Sequence, residues 1–490
     1  MKALSIALSL LAAAGVAVAG EAPAAFDADF LDRTMRVDVY HVGNASEEIF
    51  TLDRVYQQGA WAGSRVHLVD AFDNGRAYVK VTDLASGRLL FSRGSDSYFG
   101  EYRTTAQAGK GVRRTYHEST LIPYPRRPIR FAIEVRGADK KLKEAAAFEI
   151  DPNSWEVLRR GPDAAAMVIP VWTSGDPHGR VDVAILGEGY SAAEEGKFRA
   201  DLERFGRIFF SAEPYRTLKD RFNLVGVLKP SQDSGCDEPS HGSYRRTSLG
   251  ATFDSLGSER YVLTEDNRAL RDIAAAAPYD TVLIMVNAAR YGGGGIYNAF
   301  CTFTADNQWH EYVFLHEFGH SFAGLADEYY TSSTAYNDFY PKGIEPNEPN
   351  ITALLDPANL KWKDVVTPGT AVPTPWEKAE FDTLDIAYQK VRGEIGEKLA
   401  KLKREGAPAA DVAAVQEESE RLSREHQAKM DAYLAKSAFV GRVGAFEGAG
   451  YAAQGLYRPM LDCLMFSKGA KPLCRVCLAA VERVIAHYTE

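Results

Sequence analysis

Residues 316–329 read His-Glu-Phe-Gly-His-Ser-Phe-Ala-Gly-Leu-Ala-Asp-Glu-Tyr, and the pair His316 and His320 constrains this chain more than any other feature. On a helix, residues four apart lie one turn above each other and can aim two imidazoles at one cation. Glu317 borders the same face and can reach a water beside the ion without binding the ion itself. The run 309–323 contains no proline, Asp306 or Asn307 can cap its start, and Phe314, Phe318 and Phe322 recur every four residues, so a helix is predicted there. Gly324 supplies its stop, because glycine tolerates the left-handed conformation common just past a helix end. The simpler reading is an amphipathic core helix whose histidines only hydrogen-bond. The acidic pair just downstream argues instead for a metal.

A catalytic zinc takes three protein ligands and keeps a fourth position open. His310 precedes the pair and the next histidine after it is His426, so Asp327 or Glu328, just past the glycine, is the nearest supply. In the metzincin pattern a glycine stands three residues before the third ligand. Here one residue is added before the glycine, but the interval from Gly324 to Asp327 is kept. That interval favours Asp327 and leaves Glu328 as the alternative. A phenol near the metal can donate to the oxyanion of a tetrahedral intermediate, and Tyr329 and Tyr457 are the candidates.

The stretch 316–330, the stretch 247–261 (Thr-Ser-Leu-Gly-Ala-Thr-Phe-Asp-Ser-Leu-Gly-Ser-Glu-Arg-Tyr), Tyr457-Arg458-Pro459 and the Asp-Cys-Leu-Met of 462–465 together carry a family likeness. On them the chain resembles the immunoglobulin A peptidase family of secreted bacterial zinc metallopeptidases, a metzincin-like group. The likeness covers most of residues 26–345 and 437–480. It implies one catalytic Zn2+ ion held by His316, His320 and Asp327, with Glu317 as catalytic base and Met465 as the Met-turn residue beneath the site. It also implies a secreted zinc endopeptidase acting on extracellular or host-type proteins, although the family name does not carry immunoglobulin A to this chain as a substrate. Two other classes fit the motif: a non-catalytic zincin-fold binding or adhesion protein, which has no need of an intact Glu317, and a zinc hydrolase of another amide bond, such as one in peptidoglycan.

The chain begins with Met1-Lys2, an apolar run over 3–14 and an Ala17-Val18-Ala19 cleavage signal. Residues 1–19 therefore read as a signal peptide, and the mature protein is expected in the periplasm or outside the cell. No later stretch approaches the ~18 apolar residues of a membrane span, so integral membrane association is not expected. The formal net charge of −9 argues against a nucleic-acid partner and leaves a protein or peptide substrate, with the oligomeric state open. Cys236, Cys301, Cys463, Cys474 and Cys477 form an odd set. In an oxidising compartment they predict two disulfides and one spare thiol of unassigned connectivity. Alternatively, Cys463, Cys474 and Cys477 could form part of a structural zinc site that lacks a clear fourth ligand.

The organisation reads as multidomain α+β. Residues 26–160 alternate apolar and polar over short runs at 35–40, 77–82 and 129–135, predicting an N-terminal all-β, sandwich-like accessory domain that braces the rest. Residues 166–490 read as a zincin or metzincin-like α/β catalytic domain, with buried strands at 181–186, 222–228 and 279–286 and an amphipathic helix through Phe198, Leu202, Phe205 and Phe209. Glycines 292–295 lack the lysine of a phosphate loop, and read either as a surface turn or as a strand rim where an extended substrate could add. Residues 376–437 turn rich in Ala, Glu, Lys and Arg, with Leu384, Tyr388, Val391, Ile395, Leu399 and Leu402 at helical spacing, and predict an inserted helical hairpin. His178 and His241 read as surface or supporting residues.

Overall fold

The computed structural model describes residues 26–331 and 340–490, so the expected signal peptide lies outside the described residues. In the N-terminal region the alternating runs become two four-stranded sheets. One runs Arg114–Pro125, Phe30–Gly43, Glu48–Gln57, Val157–Leu158; the other runs Leu89–Ser95, Ala77–Asp83, Ile129–Arg136, Leu142–Ile150. Because strand side chains alternate in direction, Val37, Val39 and Val55 of the first sheet meet Val79, Val81, Phe131 and Ile133 of the second in one apolar core. The outer face of the first sheet is polar and docks on the helix Asn267–Ala274: Arg36 bonds Asp272 at 2.6 Å, and Asn267 donates to Ser119 at 2.8 Å. These bonds brace the sheet against the next layer.

That layer is a six-stranded sheet in the order Gly293–Ile296, Phe300–Thr304, Thr281–Val286, Val181–Glu188, Phe222–Leu228, Met167–Trp172. The four inner strands are parallel and both edge strands antiparallel. The strand Val181–Glu188 is buried along its whole length, and apolar without alternation from Val183 to Leu186, because both its faces are covered. Val183 and Ile185 face a core shared with the helix Glu195–Phe209, whereas Ala184 and Leu186 face a second core with Leu270 and Ile273.

The helix bearing the two histidines spans His310–Ala323. Phe314 and Phe318 pack on Phe205 and Phe209 with ring centroids 5.2 and 5.3 Å apart, which turns the opposite face, with His316 and His320, toward the cleft. Gly324 ends the helix at φ 60°, with Leu325 N–H reaching back to Gly319 C=O.

The predicted helical insertion forms as Lys378–Arg404 and Ala409–Leu434. Its base joins the main core through Phe381, Met430 and Leu434, and its far end is tied down by Arg404 donating to Ser240 C=O at 2.6 Å. Val391, expected in its apolar stripe, is exposed instead, because the covered face at that turn is held by Tyr388, Arg392 and Ile395. A β-hairpin, Val443–Ala449 and Ala452–Met460, and a final helix, Arg475–Thr489, close the other side of the site helix.

Candidate active site

The floor of the main cleft is built by the site helix and the extended segment that leaves it. His316 Nε2 and His320 Nε2 are 3.0 Å apart, and Asp327 Oδ1 lies 3.0 Å from the first and 3.2 Å from the second. Zinc bonds of about 2.0–2.1 Å to nitrogen and oxygen imply donor separations of about 3.3 Å in a tetrahedral site, so the three atoms fit one small cation. The tautomers agree. His316 Nδ1 faces Leu464 C=O at 3.1 Å and His320 Nδ1 faces Leu325 C=O at 2.5 Å, so each Nδ1–H donates to a carbonyl and each Nε2 keeps its lone pair for a metal.

Electrostatics point the same way. Burial works against a charged His320, but the Asp327 carboxylate beside it, with help from Glu317 and Leu325 C=O, raises the imidazole to about 9. Asp327 is pulled well below the usual carboxylate range despite its burial, by His320 first and then His316. Apart from the two imidazoles, Asp327 Oδ1 has no hydrogen-bond partner among the described residues. Positive charge is favoured where the three donors meet.

Glu317 stands a step further out, with a carboxylate oxygen within 4.8 Å of the histidine ring nitrogens. It is half-buried, and desolvation raises its carboxyl against the opposing pull of His316 and His320. The edge strand Gly293–Ile296 passes directly over it. A Cβ on Gly295 would lie 2.6 Å from Glu317 C=O and 2.8 Å from His320 Cβ, so only glycine permits this approach.

Beneath the helix, Met465 is fully buried, and a Cβ on Gly319 would meet its sulfur at 3.1 Å. Its carbonyl accepts from Glu328 N–H at 2.8 Å. Tyr329 lines the cleft with its ring parallel to His316, centroids 6.1 Å apart. Tyr457 is not among the residues lining the cleft: its strand pairs it with Glu447, and its backbone bonds that of Thr352. Glu328, the alternative third ligand, points away from the imidazoles and lies 3.2 Å from Cys477 Sγ. His178 sits between Asp32 and Asp176, and His241 beside Glu238, both away from the imidazole pair.

Two features were missed by sequence reasoning. Tyr451, at the positive-φ turn of the β-hairpin, donates its phenol to Asp327 Oδ2, while Gly450 N–H bonds Asp327 C=O at 2.9 Å. The glycine-flanked tyrosine in Gly448-Ala449-Gly450-Tyr451 marks a tight turn, but nothing local says what the turn touches. The cleft wall is also basic and aromatic, with Arg260, Tyr291, Arg392 and Lys468. The expected disulfides are absent: all five cysteines are buried free thiols, because Cys236 bonds Ala251 C=O, Cys301 lies inside the central sheet, and the other three gather around Glu328.

A family model described as IgA Peptidase M64 matches residues 169–485, and one described as Peptidase M64 N-terminus matches residues 25–147. Comparison with curated proteins gave no match. The first model spans the central sheet, the site helix, the Asp327 segment and the final helix, so the chain belongs to the IgA Peptidase M64 family and is a peptidase.

Proposed function

We propose that the protein is an exported, zinc-dependent endopeptidase that cleaves protein substrates outside the cytoplasm, released by removal of residues 1–19. The observation that carries this reading is the meeting of His316 Nε2, His320 Nε2 and Asp327 Oδ1 within 3.2 Å of one another beside Glu317. These three residues would hold the zinc ion, which when bound polarises a substrate carbonyl and acidifies water. Glu317 takes the proton from the attacking water and passes it to the leaving amide nitrogen. Its raised carboxyl suits that exchange, since a base poised nearer neutrality can also return the proton. Tyr329, which lines the cleft, donates to the developing oxyanion in this reading.

An extended peptide adds antiparallel to the edge strand Gly293–Ile296 above Glu317, past Gly293, whose own N–H and C=O are taken by Arg260 C=O and Val262 N–H. The inserted hairpin forms the opposite wall with Tyr388, Arg392 and His426, and limits which chains enter.

The test is incubation of the purified mature chain with a denatured protein mixture and, separately, with peptidoglycan, read by mass spectrometry with and without a chelator. Chelator-sensitive peptide fragments are expected. Products from peptidoglycan alone would instead establish hydrolysis of another amide bond, and stoichiometric zinc with no product from either would establish a binding protein.

A further inference from the structure

Behind the Asp327 segment, outside the cleft, lies a second set of donors that the peptidase chemistry does not use. Asp327 and Glu328 are successive residues whose side chains part company, the first reaching the imidazoles and the second Cys477. Glu328 enters a pocket with Cys463, Cys474 and Cys477, and the four donor atoms all lie within 4.8 Å of one another. The site is closed to water: Glu328 and Cys477 are 0 % exposed, Cys463 2 % and Cys474 4 %.

The distances are those of a metal cage rather than a disulfide. Cys463 Sγ and Cys477 Sγ are 3.9 Å apart, while Glu328 Oε1 lies 3.2 Å from Cys477 Sγ and 4.0 Å from Cys474 Sγ. Bonds of about 2.3 Å to sulfur and about 2.0–2.2 Å to oxygen give tetrahedral edges of about 3.8 Å between sulfurs and about 3.5 Å between sulfur and oxygen. Bonded sulfurs would stand only about 2.0 Å apart.

Charge requires a partner here. Glu328 Oε1 accepts from the Asn350 amide at 3.1 Å and from the thiols of Cys477 at 3.2 Å and Cys474 at 4.0 Å, but Oε2 has no hydrogen-bond partner and, among the described residues, no cation forms an ion pair with the carboxylate. Buried Arg458, the cation whose field reaches it, spends its guanidinium on the carbonyls of Gly448 at 2.8 Å and Leu461 at 3.2 Å. An uncompensated buried carboxylate is costly, and a bound dication removes the cost. The backbone is arranged to support thiolates: Cys474 N–H points at Cys463 Sγ at 3.2 Å, Met465 N–H at the same sulfur at 3.5 Å, and Cys477 N–H at Cys474 Sγ at 3.4 Å. Cys474 also caps the N-terminus of the final helix, where a negative sulfur is favoured.

We infer that Glu328, Cys463, Cys474 and Cys477 bind a second, structural zinc ion. Three sulfurs and one carboxylate fill a tetrahedral site and leave no open position, so this ion holds structure and performs no hydrolysis. It ties the Asp327–Glu328 segment to the start of the final helix and so fixes, from behind, the residue proposed to complete the cleft site. The inference rests on its own four residues and survives if the peptidase mechanism fails.

The experiment is metal analysis of the purified mature chain after zinc loading and removal of free ion, with parallel cobalt(II) loading read by absorption. The expected results are two zinc equivalents per chain and thiolate-to-cobalt charge-transfer bands. The His320→Ala variant should lose one equivalent and keep those bands, and Cys474→Ser/Cys477→Ser should lose the bands. A single equivalent that disappears in His320→Ala, with no thiolate bands in either protein, overturns the inference. So does an intact mass showing a disulfide among the three cysteines. If the double cysteine variant does not fold, the unmodified chain and His320→Ala still decide the question.

Discussion

Asp327 and Glu328 are adjacent in the chain yet face different chemistries: Asp327 Oδ1 lies 3.0 Å from His316 Nε2, whereas Glu328 Oε1 lies 3.2 Å from Cys477 Sγ. The backbone there is pinned on both sides, with Gly450 N–H on Asp327 C=O and Glu328 N–H on Met465 C=O, and so separates an imidazole-facing carboxylate from a thiol-facing one. Replacing Asp327 by Ala removes one of three donors. Metal held by the imidazole pair should be lost and cleavage should fall at least about a hundredfold. Metal content and peptide turnover measured on one preparation check this.

Tyr451 acts on the same carboxylate from outside. Its phenol bonds Asp327 Oδ2 and leaves Oδ1 turned to the imidazoles. Groups that orient a ligand in this way typically change metal affinity about 10- to 100-fold when removed. Tyr451→Phe should therefore weaken zinc binding by that factor while the fold persists, as read by competition against a chromogenic chelator.

The edge strand depends on glycine where it crosses Glu317. A methyl at Gly295 would stand 2.6 Å from a backbone oxygen and 2.8 Å from His320 Cβ, neither of which can rotate away. Gly295→Ala should cost about 1–3 kcal/mol of stability as the strand lifts from the helix. It should also lower kcat/KM through the displaced rim. Thermal unfolding and peptide cleavage measure the two effects.

The N-terminal sheets carry their own acid sensitivity. Burial alone would raise the Glu48 carboxyl, but hydrogen bonds from Arg76 and His41, with their charges, hold it down to about 2 from an ordinary 4.5. The folded value is the lower one, so the contribution is fully present above pH 4.5 and is lost as pH falls through about 2. Its size is of order 3 kcal/mol. The thermal midpoint of the mature chain should fall steeply over that window, and Glu48→Gln should start lower and fall less.

What was legible in the sequence was local. The spacing of Phe314, Phe318 and Phe322 marked the site helix and its buried face, and the run at 181–186, apolar apart from Asp182, marked a buried strand. The helical hairpin followed from composition and spacing, although Val391 shows that a stripe need not be covered along its whole length. What was not legible depends on contacts between distant segments. Tyr451 reaches Asp327 across 124 positions and Cys477 reaches Glu328 across 149, and no periodicity encodes such pairs. Cysteine counting predicted disulfides because it cannot see that Cys236 and Cys301 are buried apart while a carboxylate joins the other three. Tyr457 was a candidate phenol donor, but its strand pairs with Glu447 and Thr352 and it is not among the residues lining the cleft.

In the proposed mechanism Glu317 moves the proton while His316, His320 and Asp327 hold the metal. The measurement that tests it most directly is turnover of one peptide substrate by Glu317→Ala, with metal content determined on the same sample. Turnover should be lower by several orders of magnitude with zinc content unchanged. Undiminished cleavage, or loss of metal together with activity, would contradict it.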